Sequence, residues 1–171
     1  MLVRRLSGED AVQFQTIRLE GLKCHPEAFG ASYEDEAELP LTLISQRLSA
    51  GVVFGGFGAD QELEGVIGVM KGQSEKVRHI ATIWGMFVRP PARGTGLSSK
   101  LLTAAIDEAS CDCRSIRLSV VSTNEAARRL YQRAGFTEWA VDTAALFVNG
   151  SFHDEVLMRL DAECPQGPGF C

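Results

Sequence analysis

The stretch Val88-Arg89-Pro90-Pro91-Ala92-Arg93-Gly94-Thr95-Gly96-Leu97-Ser98-Ser99-Lys100 constrains this chain more than any other. An extended apolar run leads into it, and two prolines and two glycines interrupt it. Leu97, Leu101, Ala105 and Ala109 then recur every four residues, with Leu102 and Ile106 widening the stripe. The stretch therefore reads as strand, turn and helix start in succession. Glycines let backbone amides come close to a ligand, and the open amides of a helix N-terminus favour phosphate oxygens. The turn is either a pyrophosphate cradle or simply a tight strand-to-helix connection. Two better-known phosphate patterns fail residue by residue. Counted from Gly94, the dinucleotide fingerprint meets Ser99 where its third glycine belongs, and a P-loop needs glycine immediately before Lys100 but again meets Ser99.

Residues 3–6 read as a short first strand. Ser7 and Asp10 have capping-box spacing ahead of a helix carrying Val12, Phe14, Ile17, Leu19 and Leu22, which Pro26 ends. Residues 27–39, with Glu34, Asp35, Glu36 and Glu38, read as a loop; Pro40 opens a second helix to about Leu48, and Gly51 closes it. Residues 52–59 and 64–71 form antiparallel strands around a turn near Asp60, and residues 79–88 a third strand. After the long helix come a β-branched strand over 116–121 and a helix over 124–134. That helix turns Ala127, Leu130 and Ala134 inward and is capped by Gly135. Asn149-Gly150 is a two-residue hairpin turn joining 141–148 to 151–160. With 171 residues and neither repeat nor linker, one α+β domain over 1–161 is expected. The tail over 162–171, with Pro165, Gly167, Pro168 and Gly169, is expected to be disordered.

At 45% hydrophobic and 23% charged residues the chain can bury a core. It has no apolar run of membrane-spanning length and no extended apolar segment near Met1, so a cytoplasmic protein without a membrane partner is expected. A net charge of −5 is the wrong sign for gathering polyphosphate and argues against nucleic acid. Residues 1–63 hold five Lys and Arg against ten Asp and Glu, whereas the remainder balances at twelve each. Such asymmetry fits a cationic ligand at the acidic side and an anionic one at the other, or a solvated acidic surface. The five cysteines, Cys24, Cys111, Cys113, Cys164 and Cys171, are an odd number in a chain that needs no staples, so free thiols are expected. Cys111 and Cys113 lack companion ligands at metal-binding spacing, and no metal is expected.

Arg93-x-x-Gly96-x-Ser98 after Val88-x-Pro90 resembles the acetyl-CoA motif of the GNAT N-acetyltransferase superfamily. Asn124-x-Ala126-Ala127-x-x-Leu130-Tyr131-x-x-x-Gly135-Phe136 resembles the second half of the same signature. The matching block runs from about Thr82 to Phe136. Ser98 departs from the family's usual Gly or Ala, though serine is small enough for close approach.

The resemblance implies a mixed, mostly antiparallel central sheet, splayed between the strands at 79–88 and 116–121 and flanked by helices as a three-layer α/β/α fold. Acetyl-CoA is the implied cosubstrate, with pantetheine in the V. Backbone groups of Met86, Phe87 and Val88 would pair with pantetheine and polarise the thioester carbonyl. Arg93 and the amides of Gly94, Thr95, Gly96, Leu97, Ser98 and Ser99 would hold the pyrophosphate. Asn124 would contact CoA, and Tyr131 would be the general acid toward the departing thiolate. Taken without the resemblance, Asn124 is a helix N-cap and Tyr131 a half-buried aromatic with its hydroxyl at the rim. Their seven-residue spacing puts them on one helix face.

A lysine-like amine, with a pKa of about 10.4, costs about 4.6 kcal/mol to deprotonate at pH 7. Many relatives place a glutamate on the strand at 79–88, but the corresponding positions here hold Thr82 and Trp84. His79 has the opposite strand parity. A water chain, or Glu34 or Glu36 of the acidic segment, is left to take the proton, and Ser119, His153 and Glu155 receive no role. Glu34, Glu36, Thr82 and Trp84 are the candidate acceptor-site residues. The expected activity is acetyl transfer to a primary amine in a direct ternary complex, the acceptor being a small cationic amine. A protein N-terminus or lysine is the alternative acceptor, and a non-catalytic CoA-binding sensor the alternative function. Monomer and homodimer are both open.

Overall fold

In the computed structural model, which describes residues 1–162, the chain runs β1 (Leu2–Arg5), α1 (Ala11–Cys24), α2 (Tyr33–Ala37), α3 (Leu41–Ala50), β2 (Val52–Phe57), β3 (Leu63–Lys71) and β4 (Ile80–Val88). It continues through α4 (Leu97–Ser110), β5 (Ser115–Val121), α5 (Glu125–Arg133), β6 (Thr137–Val148) and β7 (Ser151–Asp161). The seven strands form one sheet in the order β1-β2-β3-β4-β5-β7-β6. Every neighbouring pair is antiparallel except β4 with β5. The expected mixed, mostly antiparallel sheet is the fold observed.

Strand alternation divides the core in two. Val53, Phe57 and Val66 face α1 and α3, where they meet Ile17, Ile44 and Leu48. Ile67, Ala81, Ile83, Ile116 and Leu118 face α4 and α5 on the other side. The four-residue stripe of α4 explains its position, since Leu97, Leu101, Ala105 and Ala109 are all 0% exposed. Each such leucine contributes about 1.5–3 kcal/mol by leaving water. A Cβ at Gly65 would fall 2.9 Å from a Leu101 methyl, so that glycine lets α4 lie close against β3.

The segment at 27–39 differs from the loop expected there. Tyr33–Ala37 is a short helix whose N-cap Ser32 accepts the Asp35 amide on Oγ at 3.1 Å. Its first turn holds Glu34, Asp35 and Glu36, where carboxylates complement the helix dipole, and no apolar stripe announces it. Val12 is also exposed, whereas Ile17 and Leu22 of the α1 stripe are buried and Phe14 and Leu19 half-buried. Cys24 is a free thiol; Cys164 and Cys171, with the tail beyond residue 162, lie outside the described residues. Among the described residues no helix is long and apolar enough to cross a membrane, and no group of three metal-ligating side chains comes together.

Parallel pairing of β4 and β5 is confined to Ile80 with Ser115, Ala81 with Ile116, and Thr82 with Arg117. Beyond Thr82 the strands diverge. β5 stays paired on its far side with β7 along its whole length, and β4 stays paired with β3. The divergence leaves an open wedge bounded by one free edge of each strand.

At the start of α1, Arg4 grips Asp10 through both terminal guanidinium nitrogens at 2.7 and 2.9 Å, and the Ser7 amide donates to Asp10 Oδ2 at 2.8 Å. The Arg4 hydrogen bond, against the opposing effect of burial, pushes the Asp10 carboxyl down to about 2. This is below the unfolded value of about 3.9, so the stabilisation is complete above about pH 4 and is lost as pH falls through 2. Arg4 is 43% exposed, and screening reduces the pair to roughly 1 kcal/mol. Asp10→Asn should therefore lower the unfolding free energy by about 1 kcal/mol at pH 7, with the difference from the parent chain closing by pH 2 in urea titrations. A difference that does not narrow with acid would remove charge as its cause.

Candidate active site

The wedge opens into a groove of about 730 Å³. One wall is the Ile83–Val88 part of β4 and the other is Leu118–Val121 of β5, with Asn124, Ala127 and Tyr131 of the α5 region behind them. Of the residues singled out by sequence, Trp84, Met86, Phe87, Val88, Arg93, Gly94, Gly96, Ser98, Ser99, Asn124 and Tyr131 line this groove. Thr95 and Leu97 do not. The Thr95 hydroxyl turns back to the Ala92 carbonyl at 2.6 Å, and the Leu97 side chain is in the core. Any part these two play toward a ligand falls to their amides.

The turn between β4 and α4 is built for amide exposure. Gly94 and Gly96 have φ of +76° and +86°, a region other residues rarely occupy, and a Cβ at either would find no atom within 4 Å. Conformation, not crowding by the protein, requires glycine there. The Lys100 amide donates to the Gly96 carbonyl at 3.1 Å as the helix begins. The amides of Leu97, Ser98 and Ser99 therefore precede any intrahelical acceptor, and Ser98 and Ser99 line the groove. Arg93 is fixed beside them by its Nε bond to the Val88 carbonyl at 3.0 Å, with Nη2 3.3 Å from the His25 ring.

Gly85 reshapes β4 itself. Val66 pairs with Phe87 while Gly68 pairs with Trp84, so β4 holds one residue more than β3 across this span. Gly85 takes φ of +64° within the bulge. Strand parity reverses there: Ala81 and Ile83 face α4, yet Phe87 faces α1 and Val88 faces α4. Met86 is thereby carried to the α4 and α5 side, where the Tyr131 hydroxyl donates to its sulfur at 3.5 Å. Tyr131 is 7% exposed and meets Phe136 edge-on with ring centroids 6.0 Å apart. Desolvation by burial pushes its phenol up to about 12, so it remains a proton donor throughout the neutral and mildly alkaline range. Asn124 caps α5, its Oδ1 accepting the Ala127 amide at 3.1 Å, which leaves the amide nitrogen for the groove.

The candidate acceptor residues divide. Trp84 lines both the groove and a second cavity of about 310 Å³ between α1, α3 and the sheet. Glu36 lines that second cavity, but its carboxylate is held by Arg18 of α1, with Nε at 3.0 Å and Nη2 at 2.8 Å. Glu34 is exposed, and neither it nor Thr82 lines either cavity. His79 stands at the paired end of the wedge, where its carbonyl accepts the Arg114 and Ser115 amides, away from the open end. Sequence reasoning passed over Gly85 and Arg18. The signals were a glycine inside an apolar strand, and an arginine four residues from both Phe14 and Leu22 on a helix face that is otherwise buried.

Solved structures share this architecture. A GNAT-family acetyltransferase from Streptococcus pneumoniae is 22% identical, with 94% of this chain and 98% of that one covered and a TM-score of 0.84. A phosphinothricin acetyltransferase of the GNAT superfamily from Sinorhizobium meliloti, solved in complex with acetyl-CoA, is 16% identical over 94% and 88% of the two chains, with a TM-score of 0.79. A ribosomal-protein-alanine N-acetyltransferase from Brucella melitensis is 19% identical over 94% and 99%, with a TM-score of 0.77. At these identities the likeness is one of fold. The sequence itself matches the acetyltransferase (GNAT) family over residues 16–136, a span that runs from α1 through the wedge and glycine turn to the end of the α5 motif, and the chain belongs to that family.

Proposed function

We propose that this protein transfers acetyl from acetyl-CoA to a primary amine by direct attack within a ternary complex, all of the machinery lying in one domain over residues 1–161. The observation that carries this reading is the buried Tyr131 phenol, held in the wedge and pointing its proton at a sulfur. A thioether is a weak acceptor, so a developing thiolate placed nearby would draw that hydrogen bond away from Met86.

The remaining roles follow from the groove. The free edge of β4 beyond Thr82 offers strand-like hydrogen bonds from Met86, Phe87 and Val88 to the amides of pantetheine, and one of these donors polarises the thioester carbonyl. The amides of residues 94–99, with Arg93 beside them, receive the pyrophosphate, and the Asn124 amide nitrogen meets the cofactor's other flank. When the amine attacks, the carbon–sulfur bond breaks, Tyr131 supplies a proton to sulfur, and the amine loses one. Thr82 and Trp84 have no titratable group to accept it, and Glu36 is engaged by Arg18. Water in the groove is therefore assigned that proton. A sensor that merely binds CoA would have no use for a phenol directed at sulfur, so the enzymatic reading takes precedence. The acceptor is a small amine, and a protein N-terminus or lysine is the second choice.

Gly96→Asp would force a side chain into left-handed backbone and set a negative charge beside phosphate. Calorimetry on the folded variant should show CoA binding at least tenfold weaker, and an unchanged affinity would refute the cradle. Tyr131→Phe deletes a donor and little volume, so kcat at saturation should fall roughly 10- to 1000-fold while CoA affinity holds. An unaltered kcat would release Tyr131 from its role. With water as proton acceptor, the ascending limb of kcat/KM should move with the acceptor's own pKa across a series of amines and stay in place in Glu34→Gln. A limb at one pH for every amine would point to a protein base.

A further inference from the structure

Arg18 has a hydrogen-bond donor that the fold leaves idle. Its side chain is 9% exposed, Nε and Nη2 are spent on Glu36, and Nη1 is buried without a hydrogen-bond partner among the described residues. Native structures seldom keep a buried donor unsatisfied, because its desolvation is not repaid. Arg18 itself lines the second cavity, and Nη1 lies beside residues of the groove wall. This nitrogen lies 3.2 Å from where a Cβ of Gly85 would stand, and the guanidinium carbon is 5.1 Å from the Phe29 ring centroid and 5.7 Å from that of Trp84. Gly85, Phe29 and Trp84 all line the groove. An oxygen passing between the two rings toward the bulge would reach Nη1 one residue from Met86, where Tyr131 is directed.

Given the acetyltransferase reading above, on which this depends, we infer that Arg18 recognises the acyl oxygen of an α-amino acyl acceptor. Its Nη1 donates to the carbonyl or carboxylate oxygen next to the carbon that bears the attacking amine. A second, independent observation agrees. The strand positions facing α1 are Thr82 and Trp84, neither of which can serve as a base, and an α-amino group needs least help, with a pKa of about 7.7–8.0 against about 10.4 for a lysine-type amine. Glu36 already neutralises Arg18, so the vacant N–H can donate to a neutral carbonyl as well as to a carboxylate. The cavity that Arg18 lines, which shares Trp84 with the groove, is walled by Phe14, Leu19, Leu39 and Met70, which suits an aliphatic side chain on the acceptor.

The test uses four ligands sharing one side chain: 3-methylbutylamine, which lacks the acyl oxygen, and leucinamide, leucine and leucylglycine, which have it. Each is titrated by calorimetry into the full chain loaded with CoA. At least one acyl-bearing ligand should bind tenfold or more tighter than 3-methylbutylamine. Leucine in first place identifies a carboxylate, and leucinamide or leucylglycine in first place a carbonyl; equal binding by 3-methylbutylamine overturns the inference. Arg18→Met should bring the preference to within about twofold with CoA affinity unchanged, and retention of the preference in that variant would overturn it as well. The comparison among ligands on the parent chain decides the matter even if Arg18→Met does not fold. Acetyl release is followed separately: a binding preference without turnover sustains the Arg18 assignment and defeats the enzymatic reading.

Discussion

The site depends on one extra residue in β4. With β3 holding its neighbour in register on both sides of Gly85, the inserted residue cannot be absorbed along the strand, and the backbone must buckle at a φ of +64°. Three consequences follow from that single buckle. Met86 comes round to the side of Tyr131, Phe87 seals α1 to the sheet, and Gly85 and Met86 are released from β3 at the place where β4 has already parted from β5. A regular strand with the same composition would have kept its hydrogen bonds and presented Phe87 where Met86 now lies.

Much of this could be read in the sequence, for reasons that can be named. Leu97, Leu101, Ala105 and Ala109 announce α4 because a period of four residues has no other inexpensive burial, and Asn149-Gly150 announces its hairpin because φ of 49° and 80° suits those residue types. The glycine turn was legible as a turn because its left-handed φ at Gly94 and Gly96 suits glycine. What escaped was tertiary. Helix α2 carries no apolar stripe; it is held by the Ser32 cap and by the grip of Arg18 on Glu36, and that partner is 18 residues away in sequence. The reading of 79–88 as one uniform strand carried a single parity through Gly85, and nothing local to that glycine says whether it marks a bulge or merely a gap in packing. Arg18 shows no sign of its neighbours until α1 is laid against the sheet.

The electrostatics of the site are local rather than global. The acidic excess of the first third suggested a region that attracts cations, yet Glu36 is neutralised by Arg18, Glu20 pairs with Arg89 at 2.8 Å, and Asp10 is clasped by Arg4. Three of the ten carboxylates in that region are thus committed to holding α1 and α2 in place. What the proposed roles draw on is directional: amides of the glycine turn at one end of the groove, the Tyr131 phenol within it, and a guanidinium edge beside the bulge.

The three-residue pairing between β4 and β5 also makes the sheet mechanically uneven. Two half-sheets, β1 to β4 and β5 to β7, meet at a short seam, backed on one face by the continuous cluster around α4. Separation of the halves is resisted from behind and hardly at all from the groove side, so the molecule resembles a book bound at its spine. A ligand bridging the two free edges acts as stitching across the opening. Its binding free energy adds to cohesion of the whole domain as RT ln(1 + [L]/Kd), and resistance to unfolding becomes a running measure of cofactor supply.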